Sequence, residues 1–123
     1  MYSKKKWAQL VLEFQAKEEA LLQVKGNDYT TDDRDQLLNF NEVAVAEGQG
    51  RRPMDIAWTL LLKHMHAIKL AVHTQRYIWA WENPQGEQLK QRIADARNYL
   101  LLLAACIDEQ EEQKIDRGSG GND

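Results

Sequence analysis

The chain has 123 residues, 43% of them hydrophobic and 28% charged, with a formal net charge of −3 at pH 7. That length suits one domain able to bury a core, and the acidic balance argues against a dedicated nucleic-acid binder, which presents a basic face. The single cysteine, Cys106, excludes an intramolecular disulfide and a cysteine-based metal site, and its apolar setting reads as a small core residue.

The chain opens on Met1-Tyr2 and the only basic run, Lys4, Lys5 and Lys6, which reads as a solvated terminus rather than an apolar signal region. A first helix is expected over about residues 4–24, with Trp7, Leu10, Val11, Phe14, Leu21 and Leu22 recurring on one face. Lys25-Gly26 reads as its stop and Asn27-Asp28-Tyr29 as a tight connection. Thr30-Thr31-Asp32-Asp33 resembles a helix start, since a threonine cap can accept from the backbone three residues on and Asp33 favours the positive helix end. The helix expected over residues 32–47 carries Leu37, Leu38, Phe40, Val43, Ala44 and Val45, although Asn39-Phe40-Asn41 weakens it.

Gly48-Gln49-Gly50-Arg51-Arg52 is a loop, and Pro53 suits the first position of a long helix expected to reach Trp81. Placing residues 100° apart puts Asp55, Thr59, Lys63, His66 and His73 within an arc of roughly 80°. Nearly every other direction is apolar, including Ile56, Ala57, Trp58, Leu60, Leu61, Met65, Ala67, Ile68, Ala71 and Val72. A helix that is hydrophobic nearly all round is usually a buried one, so the polar stripe is either a solvated seam or the wall of a site. Residues 82–86 turn the chain, and a last helix is expected over residues 87–113, with Leu89, Ile93, Ala96, Leu100, Leu103 and Ile107 on one stripe. Residues 114–123, ending Gly-Ser-Gly-Gly-Asn-Asp, are expected to be a disordered tail. The longest apolar run, residues 99–107, is too short to cross a bilayer. The expectation is an all-α antiparallel bundle of about four helices over residues 1–113, soluble and cytoplasmic, with no membrane partner.

Several residue groups carry chemistry. His64, His66 and His73 lack the three- or four-residue spacing of helical metal ligands, and His64 points some 160° away from His66; it reads as a core histidine hydrogen-bonded through one nitrogen. Lys63 either snorkels from the core edge or contacts a phosphate. Asp95 and Tyr99 share a face of the last helix at a spacing of four. In an antiparallel arrangement Asp95 could pair with Lys63 or His66, or join Asp55 in holding a divalent cation such as Mg²⁺, because hard cations want several oxygens at once. Tyr77, Trp79 and Trp81, with Arg76 beside them, could stack on a base, but capping the bundle or a second subunit is the reading preferred for them.

Asp28-Tyr29, Asn39-Phe40, Pro53-Met54-Asp55-Ile56-Ala57, Leu61-Leu62-Lys63 and Asp95-Ala96-Arg97-Asn98-Tyr99 occur in an order that resembles small phage-encoded nucleotide-modification-associated domain proteins. More distantly the group is similar to the MazG-like all-α nucleotide pyrophosphohydrolases. The resemblance spans about residues 25–108 and implies a compact helical domain whose site draws on Asp28, Tyr29, Asn39, Asp55, Lys63, Asp95 and Tyr99, with His66 standing where an arginine commonly follows the lysine. Thr30 replaces a usual glycine, and the paired acidic residues of the MazG type are absent. What it implies is a nucleotide or other phosphate-bearing ligand held between helices. In that reading Lys63 and His66 face phosphate, Asp55 and Asp95 orient the lysine or recruit Mg²⁺, and Asn39 and Tyr29 contact base or ribose. The competing reading is a non-catalytic interaction protein, either a phage accessory factor that binds a host protein or a self-assembling chain. The excess of apolar residues on the long helix favours a homo-oligomer.

Overall fold

The computed structural model describes residues 1–29, 38–82, 84, 86 and 88–121. The protein is all-α. Among the described residues there are four helices, α1 Lys4–Tyr29, α2 Leu38–Glu47, α3 Pro53–Thr74 and α4 Leu89–Gly121, and no strand. No described helix is long and apolar enough to cross a membrane. The chain divides into two compact units, residues 1–36 and 37–123.

In the first unit the Ser3 hydroxyl accepts from the Lys6 N–H at 3.1 Å, which caps the start of α1. The helix does not stop at Lys25-Gly26 but continues to Tyr29. A lone glycine inside a helix costs only about 1 kcal/mol, so it ends a helix only where the next residues turn away. Leu10, Val11 and Phe14 form the less exposed side of α1, whereas Trp7 is exposed. The expected helix start at Thr30 to Asp33 lies outside the described residues.

The second unit is built by α2, α3 and α4, with α3 packing against both of the others. Gly48, Gln49 and Gly50 join α2 to α3 with φ of 65°, 58° and 73°. The Gly48 N–H donates to the Ala44 carbonyl at 3.2 Å and the Arg51 N–H to the Gly48 carbonyl at 3.1 Å. Two glycines here relieve a left-handed path that other residues resist. The core gathers Phe40 and Ala44 from α2, Ile56 and Ala57 from α3, and Cys106 from α4. Further along, His64 stacks on Tyr99, and Ala71 and Thr74 share a cavity wall with Leu89 and Arg92. As residue numbers rise along α3 they fall along α4, so the pair is antiparallel, as expected.

In the second unit one boundary and two faces differ from the sequence-based expectation. Helix α3 ends at Thr74, not Trp81. The Thr74 hydroxyl donates to the Leu70 carbonyl at 2.7 Å, Gln75 turns left-handed at φ 56°, and the Arg76 N–H donates back to the Thr74 hydroxyl at 3.3 Å. The bulky Tyr77-Ile78-Trp79 run then leaves the helix, in line with the strand preference of such residues. The Ile78 and Ala80 carbonyls accept from the Leu89 and Lys90 N–H groups, both at 3.2 Å, and so satisfy donors that the start of α4 would otherwise leave orphaned. Helix α4 is assigned as far as Gly121.

The second difference is that α3 is not buried all round. Trp58, Leu62, Met65, Leu70 and Val72 are each about half exposed, and only Ile56, Ala57 and Leu61 are fully inside. Third, the expected core stripe of α4 holds only in part: Leu89 and Ala96 are buried and Ile93 and Leu103 half-buried, but Leu100 and Ile107 face outward, while Gln91, Ala94, Asp95 and Cys106 are buried beside it. A face that includes polar residues is passed over when only apolar periodicity is followed.

Replacing Gln75 by glycine removes the cost of a left-handed conformation without touching a packed side chain. It should raise stability by about 0.5–1 kcal/mol in urea unfolding. A lower midpoint would mean that the glutamine side chain itself holds the turn.

Candidate functional site

Asp55 sits in the first turn of α3. Its carboxylate accepts from the Arg52 N–H at 2.9 Å and from the Arg52 Nε and Nη2, both at 3.2 Å. These hydrogen bonds from Arg52, side chain first and backbone second, hold its carboxyl below the usual carboxylate range. The Thr59 hydroxyl donates to the Asp55 carbonyl at 2.9 Å and accepts from Arg51 Nη2 at 3.4 Å. Asp55 is thus a helix-starting residue, placed where the positive helix end and the reciprocal backbone bond both favour a carboxylate. Lys63, His66 and His73 lie on the same outer side of α3 and are exposed. The stripe therefore faces solvent.

The polar residues that do come together are on α4. Gln91 and Asp95 are the buried polar side chains among the described residues, at 5% and 3% exposure. Gln91 Nε2 donates to Asp95 Oδ1 at 3.1 Å, the contact that a spacing of four on a helix allows. One turn further, half-buried Tyr99 stacks on His64 with ring centroids 5.0 Å apart and planes inclined by 27°. His64 does face the apolar side, where its ring stacks on Tyr99 and its buried Nδ1 has no hydrogen-bond partner among the described residues. Gln91, Asp95 and Tyr99 therefore form a continuous polar track along the inner face of α4, with His64 of α3 closing over one end.

Of the eight residues assigned to the site, Asp95 and Tyr99 fall in this track. Lys63 and His66 do not, because His66 projects from the side of α3 opposite His64. Nor do Asp55 and Asp95 converge. The His64–Tyr99 level puts Asp95 opposite about Ile68, which is ~20 Å along the axis from Asp55 at 1.5 Å per residue. One ion could not be held by both carboxylates, and no group of three or more metal-ligating side chains occurs among the described residues. The side chains of Asp28, Tyr29 and Asn39 lie outside those described. Trp79 and Trp81 are occupied differently from the expectation: Lys90 Nζ sits 5.2 Å and 5.9 Å from their ring centroids, a cation–π arrangement.

Sequence reasoning missed Gln91 and gave His64 a purely structural role. The signal for Gln91 was its spacing of four from Asp95, continuing the interval from Asp95 to Tyr99. No family model matches the chain, and neither does any curated protein or solved structure.

Because folding lowers the Asp55 pKa, its stabilisation is fully present above the ordinary carboxylate range and is lost as pH falls through the folded value. Asp55→Asn should therefore melt below the parent at neutral pH, and the two should converge in acid. A constant offset across the titration would mean that charge at Asp55 is not what starts the helix.

Proposed function

We propose that this is a phage-type helical domain that binds a nucleotide or nucleotide-derived molecule in the host-cell cytoplasm, with the Gln91–Asp95–Tyr99 track and His64 contacting the ligand. The observation that supports it is the burial of a carboxylate and an amide, bonded to each other on α4 one turn from the Tyr99–His64 stack. Burying a carboxylate costs several kcal/mol that hydrogen bonds only partly return, and a well-packed apolar seam is often the more stable alternative. Retained polar groups at such a place are characteristic of sites. Asp95 can accept from a base N–H or a ribose hydroxyl, and Tyr99 offers a ring face and a hydroxyl. The resemblance of the motif order to that of nucleotide-modification-associated proteins supports the same ligand class, and the motifs that carry it include Asp95 and Tyr99. Lys63 and His66 take no part in this reading. Mg²⁺ enters it with the ligand's phosphates rather than through an Asp55–Asp95 pair.

The test is a thermal-shift screen of nucleoside mono-, di- and triphosphates with and without Mg²⁺. A ligand at 100 times its dissociation constant adds about 2.7 kcal/mol, a shift of several degrees in a domain of this size. The shift should be reduced in Asp95→Asn and unchanged in Asp55→Asn. A flat screen, or a shift indifferent to Asp95, overturns the reading.

A second reading is favoured by a separate observation. Trp58, Leu62, Met65 and Val72, each about half exposed, share one side of α3, a helical arrangement suited to pairing with another helix. In this reading the chain is a non-catalytic interaction protein that forms a homo-oligomer. Light scattering should then give at least twice the monomer mass of 14.3 kDa, falling to that value in Leu62→Lys. A monomer in the unmodified chain removes it.

A further inference from the structure

Where α3 ends and α4 begins there is a shallow, largely open cavity of about 330 Å³. That lies at the small end of the range for ligand pockets. Arg76 and Arg92 both line it, with Tyr77, Gln88, Leu70 and Ile78. No acidic side chain contributes to the described wall. The contrast with the loop at the opposite end of α3 is direct: Arg51 is paired with Glu47 at 2.9 Å and Arg52 with Asp55 at 3.2 Å. Among the described residues neither Arg76 nor Arg92 has a carboxylate partner. The chain is acidic overall, so leaving two guanidinium groups unneutralised at one concave spot is not explained by a shortage of carboxylates.

We infer that this cavity binds a small phosphate-bearing molecule, its phosphate held by Arg76 and Arg92 and its organic part resting against Leu70, Tyr77 and Ile78. Two planar guanidinium forks provide several N–H donors in the geometry that phosphate oxygens accept, and charge-assisted bonds of this kind are about twice as strong as neutral ones. Gln88 adds a polar group at the rim, although it already has a partner of its own. The apolar wall favours an ester over a free anion, since inorganic phosphate would leave that wall uncovered. Because Ile78 and Ala80 already accept the first N–H groups of α4, the arginines, not the helix end, supply the attraction. The cavity lies beyond the Asp95–Tyr99 track, and the inference does not require that track to be a site.

The test follows the Nε–Hε resonances of the arginines in the full chain by NMR while inorganic phosphate, pyrophosphate, adenosine monophosphate and adenosine are titrated separately. Arg76 and Arg92 should shift with the phosphate-bearing probes, and Arg51 and Arg52 should shift far less. Arg92→Gln and Arg76→Gln should each weaken binding at least tenfold with the remaining spectrum unchanged. Arg92→Lys should weaken it less than Arg92→Gln. Tighter binding of the monophosphate than of inorganic phosphate assigns the cavity to an ester, and equal binding assigns it to the free anion. Asp95→Asn should leave all these shifts in place, so failure here and failure of the nucleotide track are read separately. The inference is overturned if no phosphate-bearing probe moves Arg76 and Arg92, if every arginine moves alike, or if adenosine matches its monophosphate.

Discussion

The stacking of His64 on Tyr99 fixes the level at which α3 and α4 pass one another, and the rest of the second unit follows from that level. Moving toward the start of α3, the two helices deliver Ala57, 0% exposed, and Cys106, 4% exposed, to the same core as Phe40 and Ala44. Toward the other end, the helices reach the extended segment whose carbonyls at Ile78 and Ala80 receive the first amides of α4. A slip of one helical turn would carry Ala57 away from Cys106 and pull Leu89 off Ile78 together. Close packing makes such a seam bistable at best rather than continuously adjustable.

That constraint explains an apparent inversion of polarity. Trp58, Leu62, Met65 and Leu100 remain half exposed while Gln91 and Asp95 are inside. Once the register is set, a helix cannot rotate to hide more leucine without carrying Tyr99 off His64. Apolar exposure and polar burial are thus two consequences of one docking orientation.

Much of the architecture was legible because it rests on local chemistry. Pro53 begins α3 where a missing N–H does no harm, and glycines at 48 and 50 mark the turn before it. The all-α character and the antiparallel pairing follow from periodicity and short connections. Boundaries were less legible, since Gly26 inside α1 and Gln75 at the end of α3 reverse the usual meaning of both residue types. Of the site, Asp95 and Tyr99 could be placed on one face by spacing. Their companions could not, because which side of α3 meets α4 depends on side-chain packing between distant segments. The polar stripe at Asp55, Lys63 and His66 was readable as a stripe, but a helical wheel does not say which side is wet.

The left-handed turn at Gly48, Gln49 and Gly50 has a consequence for chirality. A methyl group added at either glycine would meet nothing within 4 Å, so the objection to an L-residue there is conformational and not steric crowding from the fold. The mirror-image residue has the opposite preference. D-alanine at position 48 or 50 would settle into the observed φ of 65° or 73° without strain. The turn is a short stretch of D-like backbone in an L-chain, held there by the achirality of glycine on both sides of one glutamine.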